Sequence, residues 1–166
     1  ANTNLASAAS MITWIFLDRM QNRKMSSLGA CIGAIVGLVA ITPAAGFVTI
    51  GQSIFIGFVA SIISNIAIRL NERTEIDDTL DVFPSHGVGG MVGMILTGVF
   101  AKDVGLIYGE TQTFLYHIVA LLLVAVVTFF GSLLLYKITD LLLHMRVRED
   151  QEFRGLDASQ HGEHLL

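Results

Sequence analysis

His86 is the side chain whose chemistry fits least easily with its surroundings. It lies in the run Asp81-Val82-Phe83-Pro84-Ser85-His86-Gly87-Val88-Gly89-Gly90, and no charged residue follows Asp81 until Lys102. That interval, about 20 residues at about 1.5 Å each, spans roughly 30 Å, the hydrocarbon thickness of a bilayer. An imidazole inside a membrane helix is costly, and residues of this kind mark ion and substrate pathways. Uncharged, it still offers one donor and one acceptor nitrogen. That is enough to hydrogen-bond a small neutral molecule or to relay a proton. The competing reading is a plain hydrogen bond between helices. No Cys, second His or carboxylate stands three or four residues away, so the spacing gives no zinc signature. No metal, cofactor or covalent chemistry is expected, and the chain does not read as an enzyme.

On an ideal helix His86, Gly90, Gly93 and Thr97 share one face, while Val88, Met91, Val92, Ile95 and Val99 cover much of the rest. A narrow, weakly polar stripe of this kind suits a bundle interior or a pore wall. Pro84 removes a backbone bond to Leu80, so the helix is expected to start irregularly. Asp77, Asp78 and Asp81 precede it. Negative charge is favourable at a helix N-terminus, and capping is the plain reading of all three; direct contact with substrate is the alternative.

The elements that must position these residues are apolar. The chain is 53% hydrophobic and only 14% charged, against about a quarter charged in ordinary soluble domains. No Asp, Glu, Lys or Arg lies between Lys24 and Arg69, nor between Glu110 and Lys137. The spacing predicts an all-α, polytopic membrane bundle with five spans, at 2–17, 27–42, 51–68, 82–101 and 111–143. Together they form a transmembrane domain at 1–145, and a polar tail follows at 146–166. Arg19, Arg23, Lys24, Arg69, Arg73, Arg146, Arg148 and Arg154 fall on one side, with Lys137 near it; only Lys102 falls on the other. The positive-inside rule then puts the tail in the cytoplasm and Ala1 outside. Gly29, Gly33 and Gly37 in the second span, and Gly89 and Gly93 in the fourth, let helix backbones approach closely. Nothing suggests nucleic acid, since no basic patch is present.

Several side chains carry plainer expectations. Cys31 reads as a packing residue and Trp14 as a belt aromatic at the inner interface. Asn2 and Asn4 read as interhelical hydrogen-bond formers. Phe47 and Phe55 read as membrane-facing, with the outer mouth as the alternative. His117 and His144 read as interface residues. Leu121–Leu123 and Leu133–Leu135 read as lipid or subunit contact. Phe153, Leu156, Leu165 and Leu166 give the tail apolar handholds.

The stretch Asp77-Asp78-Thr79-Leu80-Asp81-Val82-Phe83, with His86-Gly87-Val88-Gly89-Gly90 and Leu96-Thr97-Gly98-Val99-Phe100-Ala101, resembles the tenth span of the ammonium transporter family (Amt/Mep/Rh). Ala1–Ala6 is similar to the seventh span. Leu28-Gly29-Ala30 through Gly37–Gly46 is similar to the eighth span and its exit turn. Arg154-Gly155-Leu156-Asp157 and His161-Gly162-Glu163 resemble the cytosolic tail. The resemblance implies homotrimers of eleven-helix subunits built from two inverted repeats, with the working site near the repeat interface. It also implies two pore histidines, of which His86 corresponds to the second, and ammonium that sheds its proton so that ammonia passes them. His86, Val82 and Thr42 then line the conducting path, and Asp81, Gly90 and Gly93 support it. For Thr42 a plain turn is the alternative. Ammonium, ammonia or methylammonium is the implied substrate, the plasma membrane the implied location, and a PII-type regulator the implied partner of the tail.

Two departures stand out. Pro84-Ser85 replaces the family's Gly-Val before the histidine; Ser85 is expected to bond the local backbone. The first repeat and the sixth span have no counterpart, so the partner histidine, the aromatic gate and most of the outer recruitment site belong to a missing N-terminal half. The chain, which opens Ala-Asn-Thr-Asn, thus reads as a C-terminal fragment. Two rival readings stay open: an ammonium-sensing membrane module that signals through its tail, and a purely structural membrane subunit. A tail that stops at Leu166 without a signalling domain favours transport over sensing.

Overall fold

The computed structural model describes residues 1–143 and 145–163. The expectations for His144, Leu165 and Leu166 lie outside the described residues. Five long or apolar helices occupy the five charge-poor stretches: α1 (Asn2–Met20), α2 (Ser27–Ile41), α3 (Ile50–Asn71), α4 (Gly89–Phe100) and α5 (Thr111–Leu142). A π-helix, Phe83–Val88, leads directly into α4, and a short helix, α6 (Glu149–Arg154), lies in the tail. There is no strand among the described residues. The chain divides into two units, Ala1–Leu122 and Leu123–Leu166.

In the first unit three helices cross at Ala6. A side chain on Gly37 would meet the Ala6 carbonyl oxygen and Ser10 Cβ, and one on Gly57 would meet the Ala6 backbone. Glycine at both positions therefore lets α2 and α3 close on α1 from two sides. Gly33 opens the space that Trp14 fills. Polar side chains then tie the helices together. Ser10 Oγ donates to Gly33 O at 2.6 Å, Ser7 Oγ to Ala34 O at 3.0 Å and Ser61 Oγ to Ser10 O at 2.9 Å. In a bilayer such bonds replace water that is absent. This explains why α1 is the least apolar of the five: its hydroxyls are spent inside the bundle.

Three segments are long and apolar enough to cross a membrane, Ile50–Asn71, Phe83–Phe100 and Thr111–Leu142; α2 is apolar but shorter. The geometry of the first unit nevertheless stacks α1 and α2 alongside α3 from end to end. At one end Arg23 pairs with Glu72 at 2.9 Å, and Gln21 Nε2 donates to Asn65 Oδ1 at 3.2 Å. At the other end Asn2 Nδ2 donates to Ala45 O and Val48 O, and Lys102 N donates to Phe47 O at 2.8 Å. Each connection therefore returns the chain to alternate ends, as the sequence alternation requires.

Helix ends follow ordinary capping chemistry. Ser26 Oγ accepts from Gly29 N at 2.9 Å at the start of α2. Thr49 and Gln52 cap each other at the start of α3. Phe55 and Phe100 meet edge-to-face at 5.6 Å between centroids, and α5 contains no buried residue.

Three plain expectations change. Trp14 is 4% exposed and packs between α1 and α2, because Gly33 leaves a ring-sized gap; it is not a belt residue. Cys31 is exposed on α2 rather than buried in the bundle of the described residues. Asn2 bonds as expected, but Asn4 faces outward and makes no side-chain hydrogen bond among the described residues.

In the second unit α6 is held by Arg146–Glu152 and Arg148–Asp150 ion pairs, both about 3.0 Å and well exposed. Phe153 and Leu156 remain exposed.

Candidate functional site

The site is built around the turn that starts the fourth span. The Asp78 carboxylate takes the first two free N–H groups, Val82 N at 2.8 Å and Phe83 N at 2.9 Å. Capping is thus what Asp78 does. Asp77 instead accepts from Thr79 Oγ1. Asp81 adopts a left-handed backbone conformation (φ 51°), which Asp tolerates better than most residues. Its carbonyl then accepts both Ser85 N at 3.0 Å and Ser85 Oγ at 2.6 Å. Ser85 bonds locally to the backbone, as expected.

Pro84 sits in the first turn of the π-helix. No helix precedes it, because the chain reverses at Asp81, so its missing N–H costs no helical bond. The irregularity takes the form of the π-turn itself. Such turns bond i to i+5 and recur at functional sites.

The π-turn also alters the register. Ideal spacing places His86 with Gly90, Gly93 and Thr97. In the structure His86 is exposed and Gly90 half-buried, while Gly93 and Thr97 are buried. Gly93 lies against the Ala40 carbonyl of α2, Gly90 against Val39, and Thr97 Oγ1 donates to Gly93 O. Gly93 therefore serves helix contact and Thr97 bonds within its own helix, while His86 stays exposed on the π-turn. His86 stands in the first turn of the Phe83–Phe100 span, beside exposed Val82 and Phe83. Its ring makes no hydrogen bond among the described residues.

Thr42 is at the opposite end of α4 from His86. It is exposed, and its hydroxyl donates to Leu38 O at 2.7 Å within its own helix. The structure does not bring Thr42 and His86 together. Burial pushes the Asp81 carboxyl above the usual carboxylate range, and the charges of Asp78 and Glu72 add to the effect. No cluster of three metal-ligating side chains is present among the described residues.

Sequence reasoning passed over Ser64. Its hydroxyl is fully buried, has no partner among the described residues, and sits on α3 facing Gly89 where the π-turn becomes α4. A serine inside an apolar run gives no signal of its own until a neighbouring helix is known.

Residues 1–165 match the model of the Ammonium Transporter Family. The chain belongs to that family. It is 42% identical over 170 residues to the ammonium transporter of Bacillus subtilis (strain 168), covering 98% of this chain and 42% of that protein. It is also similar to the crystal structure of Candida albicans Mep2, with a TM-score of 0.83, 37% identity, and coverage of 90% of this chain and 36% of that one. A structure described as a Sensor Amt Protein matches with a TM-score of 0.82 at 27% identity, over 96% of this chain and 40% of that one. The chain thus spans about two-fifths of the length of such relatives. Ammonium transporters are membrane carriers rather than enzymes, and this chain is a multi-pass, all-α membrane protein of their fold.

Proposed function

We propose that this chain carries the His86 half of an ammonium-conducting passage, completed by helices outside these 166 residues. One observation supports this most. In a membrane protein of this family, His86 is held on a capped π-turn, exposed and unbonded, next to exposed Val82 and Phe83. An imidazole in that position offers one donor and one acceptor to ammonia without a fixed charge, and a neighbouring bundle half would dry the surface around it. Val82 forms the apolar wall, Asp81 and Ser85 hold the turn, and Gly90 and Gly93 fix α4 against α2. Thr42 belongs to the opposite mouth. The reading extends to a homotrimer in the plasma membrane, with the tail in the cytoplasm and available to a PII-type regulator.

The test is His86→Ala in the full-length transporter, read by radiolabelled methylammonium uptake and by current. The exposed ring contributes little packing here, so the variant is expected to reach the membrane in normal amount. Uptake is expected to fall, or its coupling to charge to change. Normal uptake with unchanged selectivity overturns the role given to His86.

The match to a Sensor Amt Protein supports a second reading, a sensing module with little flux. Flux separates the two: methylammonium uptake by the wild type favours transport, and binding without uptake favours sensing.

A further inference from the structure

Ser64 is the exception among the buried hydroxyls of the described residues. Ser10, Thr13, Ser53, Ser61, Ser85 and Thr97 each donate to a backbone carbonyl. Ser64, on α3, is fully buried, and its Oγ has no partner among the described residues. A hydroxyl on a helix can turn to the carbonyl four residues back, as those of Thr13 and Thr97 do. Ser64 instead faces the junction where the π-turn becomes α4. A Cβ built on Gly89 would lie 3.5 Å from Ser64 Oγ, and its other neighbours would be Val36 and Val39 of α2. Those walls are apolar, so an unpaired donor there is costly.

The backbone at this junction also stands between two patterns. Gly89 N–H donates to His86 O, three residues back. In a regular α-helix it would reach Ser85 O. Upstream, the Asp78 carboxylate holds Val82 N and Phe83 N. Downstream, Gly93 is seated on the Ala40 backbone. Both ends are held, and the segment left to change register is Phe83–Val88. Pro84 has no N–H, so one bond fewer must break. Tightening a π-turn into an α-helix by one residue turns the residues it carries by about 100° around the axis. A different backbone carbonyl then comes to the Ser64 side.

We propose that Ser64 is a positioning residue for His86: its hydroxyl bonds a carbonyl of the Phe83–Val88 turn when that turn tightens into an α-helix. The turn then has two registers, and Ser64 sets their balance. In the π register His86 is exposed and Ser64 is unpaired, as described above. In the α register His86 joins the face of Gly90 and Gly93, and the hydroxyl is paired. The two registers follow from this chain alone; only their consequence for ammonia rests on the reading of His86 given under the proposed function.

Hydrogen exchange tests this without measuring flux. The full-length transporter is placed in lipid nanodiscs, and the peptide spanning Phe83–Gly90 is followed by mass spectrometry. Its amides exchange as the turn changes register, because each N–H is then between partners. Ser64→Ala removes the bond that favours the second register, so exchange is expected to slow about fivefold, the weight of one net hydrogen bond. Alanine is the better helix former, so this variant is expected to fold. Ser64→Cys fills similar space with a much weaker donor and is expected to slow exchange to nearly the same degree. Faster exchange in Ser64→Ala means that Ser64 only packs, and unchanged exchange means that the turn has one register; either overturns the proposal. A wild-type rate in Ser64→Cys beside a slowed Ser64→Ala assigns the effect to volume and overturns it too. Slowed exchange in both variants, with normal methylammonium uptake by His86→Ala, overturns the passage and leaves the two registers standing. Unaltered exchange with uptake lost in His86→Ala does the reverse.

Discussion

Asp78 and Asp81 are close in sequence and do opposite electrostatic work. Asp78 gains from its ionised form, because two backbone N–H groups point at it. Asp81 loses, since it is partly buried and faces the charges of Asp78 and Glu72. A carboxyl whose folded pKa is raised stabilises the fold only while protonated. That contribution is complete below the unfolded carboxylate pKa and is lost as pH rises through the raised folded value. Asp81→Asn keeps a side chain that tolerates the left-handed backbone and removes the charge. It should unfold at a higher temperature than wild type near neutral pH, and the difference should shrink as pH falls through the carboxylate range. Circular-dichroism melts in detergent at several pH values check this; a constant difference would mean that the charge of Asp81 is irrelevant to stability. The acids before His86 were readable as capping residues, but nothing in their order said that Asp78 would cap and Asp81 would bend the chain. That division follows from the reversal at Asp81, which only the folded backbone specifies.

At the level of helices, the glycine spacing was the most legible feature. Gly33 and Gly37 do face α1, and Gly93 faces α2. Gly57 belongs to the same crossing yet has no glycine partner at a helical interval on α3, so the sequence did not single it out. Gly37→Ala should destabilise the bundle by about 1–3 kcal/mol, the usual cost of overpacking, since the new Cβ meets the Ala6 carbonyl. Gly51→Ala is the control. It lies in α3 with nothing within 4 Å and should be neutral or slightly stabilising, as alanine is the better helix former. Equal melting temperatures for the two variants would show that the Ala6 crossing is looser than described. The His86–Thr97 stripe is the less regular case. A period of 3.6 assumes an unbroken α-helix, and the π-turn breaks it between His86 and Gly90. Trp14 failed for a different reason: a tryptophan near a span end looks like a belt residue unless the glycine that admits it on the neighbouring helix is known.

For the whole molecule, the question is how many of the five helices cross the bilayer. Length and apolarity alone pick out three segments. If α1 and α2 lay at the surface, the turn around Gly46 and the loop around Met25 would share one side. The contacts argue against that. Loop 21–26 is tied to the α3 end that carries Glu72, and the Gly46 turn to the end that carries Lys102. Since α3 is a crossing helix, α1 and α2 must cross with it, and their polar groups are satisfied inside the bundle rather than by water. In a Cys31→Ser background, a cysteine at Gly46 should react with a membrane-impermeant maleimide in intact cells. Cysteines at Met25 and Glu149 should react only after permeabilisation, as the arginine and lysine asymmetry requires. Labelling of Met25→Cys in intact cells would remove α1 and α2 from the membrane. The surface that presents His86 would then have no bilayer-depth scaffold on which a conducting path could be built.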